Sequence, residues 1–297
     1  MRKINESTKR TILIIIITAL CILALAGLIV YFSGYRYIRT DYAKFSGFTK
    51  DGHPVSGSIR YTDGIKGKLS TDKETGAISI TYATGDVYTG DFKGIMRDGK
   101  GRIVYSNGDI YEGDFKEDMR TGSALITFAD GSVYNGEILN GKPNGKGTYT
   151  FADSSWYFGE FKEGLKHGLG EYHAADGSYY YGRFVDDLKD GTDSYSFELS
   201  DGSMFKGECK LVFASGSTYS GDFVKDKRTG FGVYTWNSGE KYEGEFKNDL
   251  FDGQGTYHFS DSDIPPYTGL FEKGEIVDNT PAEPKENSKE SETKKDE

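Results

Sequence analysis

Four histidines, two cysteines and a periodic set of carboxylates are the side chains of this 297-residue chain best suited to chemistry. His167 and His173 are the closest pair, with His53 and His258 far away, and no third ligand stands at metal-site spacing. Solvated histidines are therefore expected. Gly94-Ile95-Met96-Arg97-Asp98-Gly99-Lys100-Gly101 nearly spells a phosphate-binding loop, but Gly101 stands where a Ser or Thr must meet magnesium. There is no Gly-x-Ser-x-Gly elbow and no catalytic cysteine signature. Cys21 lies in an apolar run and Cys209 stands alone, so no intrachain disulfide framework is available. The acids recur at one repeated position, Asp91, Asp114, Glu137, Glu160, Asp222 and Glu245, which marks them as structural. No catalytic, cofactor or metal site is expected, and the chain is expected not to be an enzyme.

The elements behind that recurrence follow a 23-residue period. Tyr88, Tyr111, Tyr134, Tyr157 and Tyr180 are each 23 residues apart, and Tyr219 and Tyr242 resume the spacing. A period this short means a stacked array in which each unit touches mainly its neighbours. We number each unit from its tyrosine as position 0. Glycine falls at position 2, as in Gly90, Gly113, Gly136, Gly159, Gly221 and Gly244. Phenylalanine falls at position 4, as in Phe92, Phe115, Phe161, Phe223 and Phe246. Strand side chains alternate, so these share one face and the acids at position 3 share the other with lysines at position 5, a self-neutralising polar stripe.

A second strand follows in each unit, with a small residue and two large ones on one face, as in Gly147-Tyr149-Phe151 and Gly232-Tyr234-Trp236. Polar loops such as Arg97-Asp98-Gly99 are expected between the strands. Asn107-Gly108, Asp130-Gly131 and Asp176-Gly177 are expected as two-residue hairpin turns. The fold class is therefore all-β: an elongated single-sheet antiparallel meander of hairpins, its rings lying across glycines on neighbouring strands. The unit at Phe205 is cut to 14 residues, with Cys209 at its position 4; Asp193 replaces a glycine, and Pro143 interrupts a loop. Irregular pairing is expected near 190–218.

Residues 11–32 carry no charge and are long enough to cross a bilayer as a helix, after a basic tail at 1–10 with Arg2, Lys3, Lys9 and Arg10. Ala24-Leu25-Ala26 resembles a cleavage site, but Leu28 to Phe32 continue the apolar run beyond it, which favours an uncleaved anchor. The denser positive charge before the helix orients the N-terminus to the cytoplasm and the array outward. Residues 33–44 are expected as a juxtamembrane linker, 45–278 as the array (degenerate at 45–87), and 279–297 as a disordered charged tail.

The pattern Tyr-Glu-Gly-x-Phe, seen in Tyr111-Glu112-Gly113-Asp114-Phe115 and Tyr242-Glu243-Gly244-Glu245-Phe246, resembles the MORN (membrane occupation and recognition nexus) repeat. Gly168-Leu169-Gly170 and Gly253-Gln254-Gly255 resemble its internal Gly-x-Gly. The resemblance is clear over 88–260. It implies a MORN-like hairpin array that mediates protein contacts, homotypic assembly or, in some members, phospholipid association.

Charge bears on the choice. The chain carries −10, and beyond residue 32 it holds 32 basic and 45 acidic residues, a formal −13. Nucleic acid and anionic lipid are disfavoured as main ligands. The expected function is a membrane-anchored, non-enzymatic scaffold with an unidentified protein partner, compatible with homo-oligomers. The alternative is a cell-surface glycan-binding module, with phospholipid binding behind it. The candidate binding face is Tyr149, Tyr172, Tyr234, Trp236 and Tyr257. A bacterial envelope is the expected location.

Overall fold

The computed structural model describes residues 6–62 and 64–277. The charged segment 279–297 and the first five residues of the basic tail lie outside the described residues.

A single helix, Glu6–Phe32, opens the chain, and its segment Thr8–Phe32 is long and apolar enough to span a membrane. No protein surface covers it: Ile14, Leu23 and Ile29 all stand exposed. Within it the Thr18 hydroxyl donates to the Ile14 carbonyl, 2.8 Å, which keeps that hydroxyl paired in apolar surroundings. The helix ends at Ser33-Gly34, where Gly34 takes φ +79° and its carbonyl accepts the Thr49 N–H. The expected linker over 33–44 is corrected here. Tyr35–Arg39 is a strand paired with Ala43–Lys50, because Tyr35 and Tyr37 alternate with arginines in a sheet-forming pattern and find a partner strand within four residues. Two residues alone separate helix from sheet.

The described residues contain 24 strands, 22 of them in one sheet. Each strand pairs antiparallel with its sequence neighbour from Tyr35–Arg39 to Glu275–Ile276, apart from one interruption described below. Within a unit the first strand is short, as in Val87–Lys93, and the second longer, as in Met96–Val104. The turns fall elsewhere than expected. Arg97-Asp98-Gly99 runs inside the second strand, and the strands are joined by residues 94–95 or their equivalents. Glu117-Asp118, Asp186-Asp187, Lys225-Asp226 and Asn248-Asp249 all have positive φ at both residues, the type I′ geometry that matches strand twist. Asn107-Gly108 instead belongs to a five-residue loop. There the Tyr105 N–H donates to the Asp109 carbonyl, the Gly108 N–H donates to the Tyr105 carbonyl, and only Gly108 of the two takes positive φ.

The core is one row of rings on one face. Tyr88, Tyr111, Tyr134, Tyr157, Tyr180, Tyr219 and Tyr242 are fully buried. Each ring lies along a line of opposed small residues that crosses the sheet: Gly90 faces Gly101, Gly159 faces Gly170, Gly221 faces Gly232 and Gly244 faces Gly255. A Cβ on Gly170 would stand 2.6 Å from the Tyr157 ring. Register slips by two residues just after the position-2 glycine in unit after unit, as between Gly159 and Phe161. The bulge frees the position-3 carbonyl, and the tyrosine hydroxyl donates to it: Tyr88 to Asp91, 2.7 Å; Tyr157 to Glu160, 2.9 Å; Tyr242 to Glu245, 2.9 Å. The position-4 rings meet the tyrosines edge-on within a unit and across to the preceding one. Tyr157 has Phe161 at 5.1 Å and Phe184 at 5.0 Å, and Tyr219 has Phe223 at 5.1 Å and Phe246 at 5.0 Å.

The interruption follows Tyr180. Tyr219 lies 39 residues on, one unit plus sixteen. Leu211 pairs with Tyr180 as Tyr172 pairs with Tyr157, so Leu211 is position 15 and Cys209 is position 13. The expected 14-residue unit opening at Phe205 is therefore corrected. Phe205 belongs to a separate hairpin, Tyr195–Glu198 with Met204–Gly207, inserted between Gly191 and Cys209. It folds back toward the acid face, where Phe205 meets the Tyr181 ring at 5.3 Å and the Ser200 N–H donates to the buried Glu171 carboxylate. Pro143 is likewise inside a strand, Lys142–Thr150, not in a loop.

Two outcomes follow for stability. Gly170→Ala drives a methyl into the Tyr157 ring and should cost about 2–3 kcal/mol. Tyr157→Phe strands the Glu160 carbonyl and should cost about 1–2 kcal/mol. The urea midpoint of the detergent-solubilised chain reads both; an unchanged midpoint for Gly170→Ala would mean the ring does not rest on that glycine. The second outcome is alkaline. Burial pushes the Tyr111 and Tyr242 phenols up to about 12 and the other five core tyrosines higher. The unfolded chain ionises its phenols near about pH 10, so stability holds below that and falls as pH rises toward 12. Phenolate absorbance near 295 nm should then appear together with loss of the sheet's circular dichroism; gradual ionisation in an intact sheet would contradict the burial.

Candidate functional site

The tyrosine face carries a second row of side chains that the core does not close. Position 15 supplies Tyr149, Tyr172, Tyr234 and Tyr257; position 17 supplies Tyr105, Phe128, Phe151 and Trp236; all eight are in part open to solvent. They are second-strand residues, placed opposite the core tyrosines by the register Tyr134↔Tyr149 and Tyr219↔Tyr234. The rings form two shelves. Phe128 meets Tyr149 at 5.7 Å, Tyr149 meets Phe151 at 4.5 Å and Phe151 meets Tyr172 at 6.3 Å. Beyond the insertion, Tyr234 meets Trp236 at 4.6 Å, and Trp236 meets Tyr257 at 5.5 Å. All five expected binding-face residues thus lie on one face, Tyr149 and Tyr172 on the first shelf and Tyr234, Trp236 and Tyr257 on the second.

Position 9 adds charge that the sequence reasoning missed. Arg97, Arg120, Lys166, Lys189 and Arg228 occupy it, and each cation lies over rings of this face, Arg97 at 5.1 Å from Phe115 and Lys166 at 4.9 Å from Tyr172. The type I′ turn of the following unit holds most of them. Asp118 accepts the Arg97 backbone N–H and its Nε, at 2.9 and 3.0 Å, while the Asp118 carbonyl accepts Nη2. Asp249 treats Arg228 the same way, and Lys189 lies 3.5 Å from Asp226. Pro143 fits this scheme: the following turn has Gly164 in place of aspartate, so no N–H is required at position 9. A signal existed in the 23-residue spacing of these cations and of the turn aspartates.

Two cavities open along the row. One of about 440 Å³ is lined by Tyr61, Tyr82, Tyr105, Arg97, Asp118 and Arg120, among others. The Tyr61 and Tyr82 hydroxyls there are closed to solvent without hydrogen-bond partners among the described residues, and burial pushes both phenols up. The other, about 220 Å³, lies between Arg228, Trp236 and Phe251.

The opposite face is more than a solvated stripe. The position-3 acid reaches back to the backbone of its partner strand: Asp91 accepts the Lys100 N–H at 2.9 Å, Asp114 that of Ser123 at 3.0 Å and Glu137 that of Lys146 at 3.0 Å. Gly99, Gly122 and Gly145 precede those amides with positive φ and leave room for the carboxylate. Lys100 beside Asp114 holds that carboxyl below the usual range. His167 and His173, expected to be solvated, are corrected: His167 Nδ1 lies 3.3 Å from Asp186, and His173 stacks on Trp156 at 4.0 Å with little of either side chain exposed. Among the described residues no three His, Cys, Asp or Glu side chains are grouped to hold a metal ion.

Among curated proteins no sequence match is found. Solved structures give remote likenesses. The TCP10 domain of Danio rerio CPAP, in complex with a peptide of Danio rerio STIL, is 13% identical, with 82% of this chain and 97% of that one covered and a TM-score of 0.39. The SAS-4 (dCPAP) TCP domain of Drosophila melanogaster, with a proline-rich motif of Ana2, is 13% identical over 66% and 92%, with a TM-score of 0.33. A streptogramin B lyase is 11% identical over 81% and 84%, with a TM-score of 0.18. None superimposes closely enough to bear on function. The MORN repeat family matches residues 88–110, 111–133, 134–156, 157–179, 219–241 and 242–264. These stretches coincide with the hairpins built on Tyr88, Tyr111, Tyr134, Tyr157, Tyr219 and Tyr242 and skip the unit that carries the insertion, and the chain is accordingly a MORN-repeat protein.

Proposed function

We propose that this chain is a membrane-anchored, non-enzymatic scaffold whose half-open ring row takes up a segment of a partner protein. The observation that carries the reading is the contrast along one face. The position-0 tyrosines close completely, while Tyr149, Tyr172, Tyr234, Trp236 and Tyr257 remain in part open along the length of the array. Aromatic side chains with a polar tip and little conformational entropy are the usual anchors of protein interfaces. The MORN family supports a repeat scaffold for protein or lipid contacts. The array's formal −13 weighs against anionic lipid.

In this reading the helix Glu6–Phe32 fixes the array at a bilayer, with the N-terminus cytoplasmic and the array outside, in a bacterial envelope. A second reading, glycan binding, rests on the Tyr234–Trp236–Tyr257 shelf, since sugar rings stack on such platforms.

A photo-crosslinking amino acid at position 236 in intact cells tests the choice. Protein adducts are expected, and Tyr234→Ala should reduce them about tenfold. Adducts to polysaccharide alone would replace the protein reading with the glycan one. Protease shaving of the same cells should digest the array from outside; protection until lysis would reverse the topology and remove the glycan reading.

A further inference from the structure

The position-9 cations are not equivalent. Arg97, Lys189 and Arg228 each have an aspartate of the following type I′ turn within 4 Å. Arg120 does not, because its following turn is Asn140-Gly141 and glycine stands where Asp118, Asp187, Asp226 and Asp249 stand elsewhere. Arg120 Nη1 donates to the Tyr105 hydroxyl at 2.8 Å, and no carboxylate among the described residues lies within 4 Å of its guanidinium. Lys166 is the second case. Asp187 accepts its backbone N–H at 2.9 Å, but no carboxylate among the described residues lies within 4 Å of its ammonium, which sits among Phe151, Tyr157, Tyr172 and Phe184. A half-buried cation without a counter-charge is costly unless a ligand supplies one.

These two cations bracket the first ring shelf, Phe128, Tyr149, Phe151 and Tyr172. They are two units apart, roughly 19 Å at four strand spacings. An extended peptide rises about 3.3 Å per residue, so about six residues span that distance. We propose that the first shelf binds an extended peptide segment with two acidic side chains about six residues apart, one carboxylate meeting Arg120 and the other Lys166, with apolar side chains between them on Tyr149 and Phe151. Carboxylates suit the site better than phosphates. Asp86 and Asp118 line the cavity beside Arg120 and repel a doubly charged phosphate more strongly than a singly charged carboxylate, which can fork onto the guanidinium. This rests on the protein-partner reading above and adds the chemistry of the partner.

The test is selection of phage-displayed dodecapeptides on the full chain in detergent micelles, followed by affinities of the selected peptides. Peptides with Asp or Glu pairs five to seven residues apart are expected, with binding that weakens as salt rises. Arg120→Gln and Lys166→Gln should each lower affinity about tenfold or more. Gly141→Asp is the decisive variant. Aspartate already occupies this turn position at φ 68° in Asp118 and 71° in Asp249, so the backbone accepts it; a Cβ at 141 would stand 2.7 Å from Arg120 Nη2, so the end of that flexible side chain must shift to make room. The new carboxylate should neutralise Arg120 and reduce binding as strongly as Arg120→Gln, with the urea midpoint kept. Selected peptides without paired acids, or affinities unmoved in Gly141→Asp, would overturn the acidic-peptide proposal and leave the scaffold reading standing. No selected peptide at all would overturn both.

Discussion

One phenol per unit, set into a β-bulge, is the interaction on which this structure depends. A bulge by itself is unfavourable, because it strands a carbonyl and an amide that the ladder no longer pairs. Here the Tyr157 hydroxyl donates to the freed Glu160 carbonyl, and in the neighbouring units the position-3 carboxylate takes the amide across the bulge, as Glu137 takes that of Lys146. The ring can reach only because Gly159 and Gly170 have no side chains to hold it off, and the carboxylate only because Gly168 or its equivalents stand aside. The tyrosine, three glycines and the acid that recur every 23 residues are therefore one bonded arrangement, varied in single units by Ala124 or Cys209 for a glycine and by Arg183 for the acid. The Phe at position 4 then links each arrangement to the one before, which makes the array a chain of nearest-neighbour contacts with no central core.

Placing the core within one face of one sheet has a consequence for the surface. Among the described residues nothing packs across that face, so only the rings nearest the glycine line close. The next row out, at positions 15 and 17, is covered on one side and open on the other. Its cations stand on the second strands, and the turns set their ion pairing: a turn aspartate pairs with Arg97 and Arg228, and a turn glycine leaves Arg120 without an ion pair. The backbone plan is uniform while the charge of the groove is set unit by unit, by a residue on a turn that can change without cost to the ladder. Glycine at 141 and proline at 143 show both ends of that latitude.

The Tyr, Gly and Phe positions were legible in the sequence because repetition averages away local ambiguity: five tyrosines at one spacing, with two more that resume it, say more than any single strand. The turns were not. Glycine at positive φ marks a bulge at Gly99 and a loop at Gly108, and the I′ turn itself, Glu117-Asp118, contains no glycine at all. Sequence alone cannot tell which glycine bends the chain through a turn and which lets a carboxylate approach. Phe205-Lys206-Gly207 imitated a unit opening closely enough to hide the insertion, and only the pairing of Leu211 with Tyr180 shows that Cys209 fills a glycine slot. Of the candidate face, the aromatic residues were readable and the cations were not, since their state depends on a turn residue one unit away.

The junction with the helix gives the array a direction. Ser33 and Gly34 are the only residues between the helix and the first strand; the Gly34 carbonyl accepts the Thr49 N–H, and the Arg36 guanidinium lies 4.6 Å over the Tyr31 ring and donates to the Tyr31 carbonyl. A flexible linker would let a tethered array sample all orientations at the bilayer. A hydrogen-bonded join, with an arginine drawn back over the last turn of the helix, restricts the first hairpin instead. Because each later strand of the main sheet is held to its neighbour by the same ladder, that restriction is passed along the sheet and fixes the direction of the ring row relative to the first hairpin. In the scaffold reading proposed above this is an entropic advantage: the orientation is settled by the fold before a partner arrives, and binding does not have to supply it.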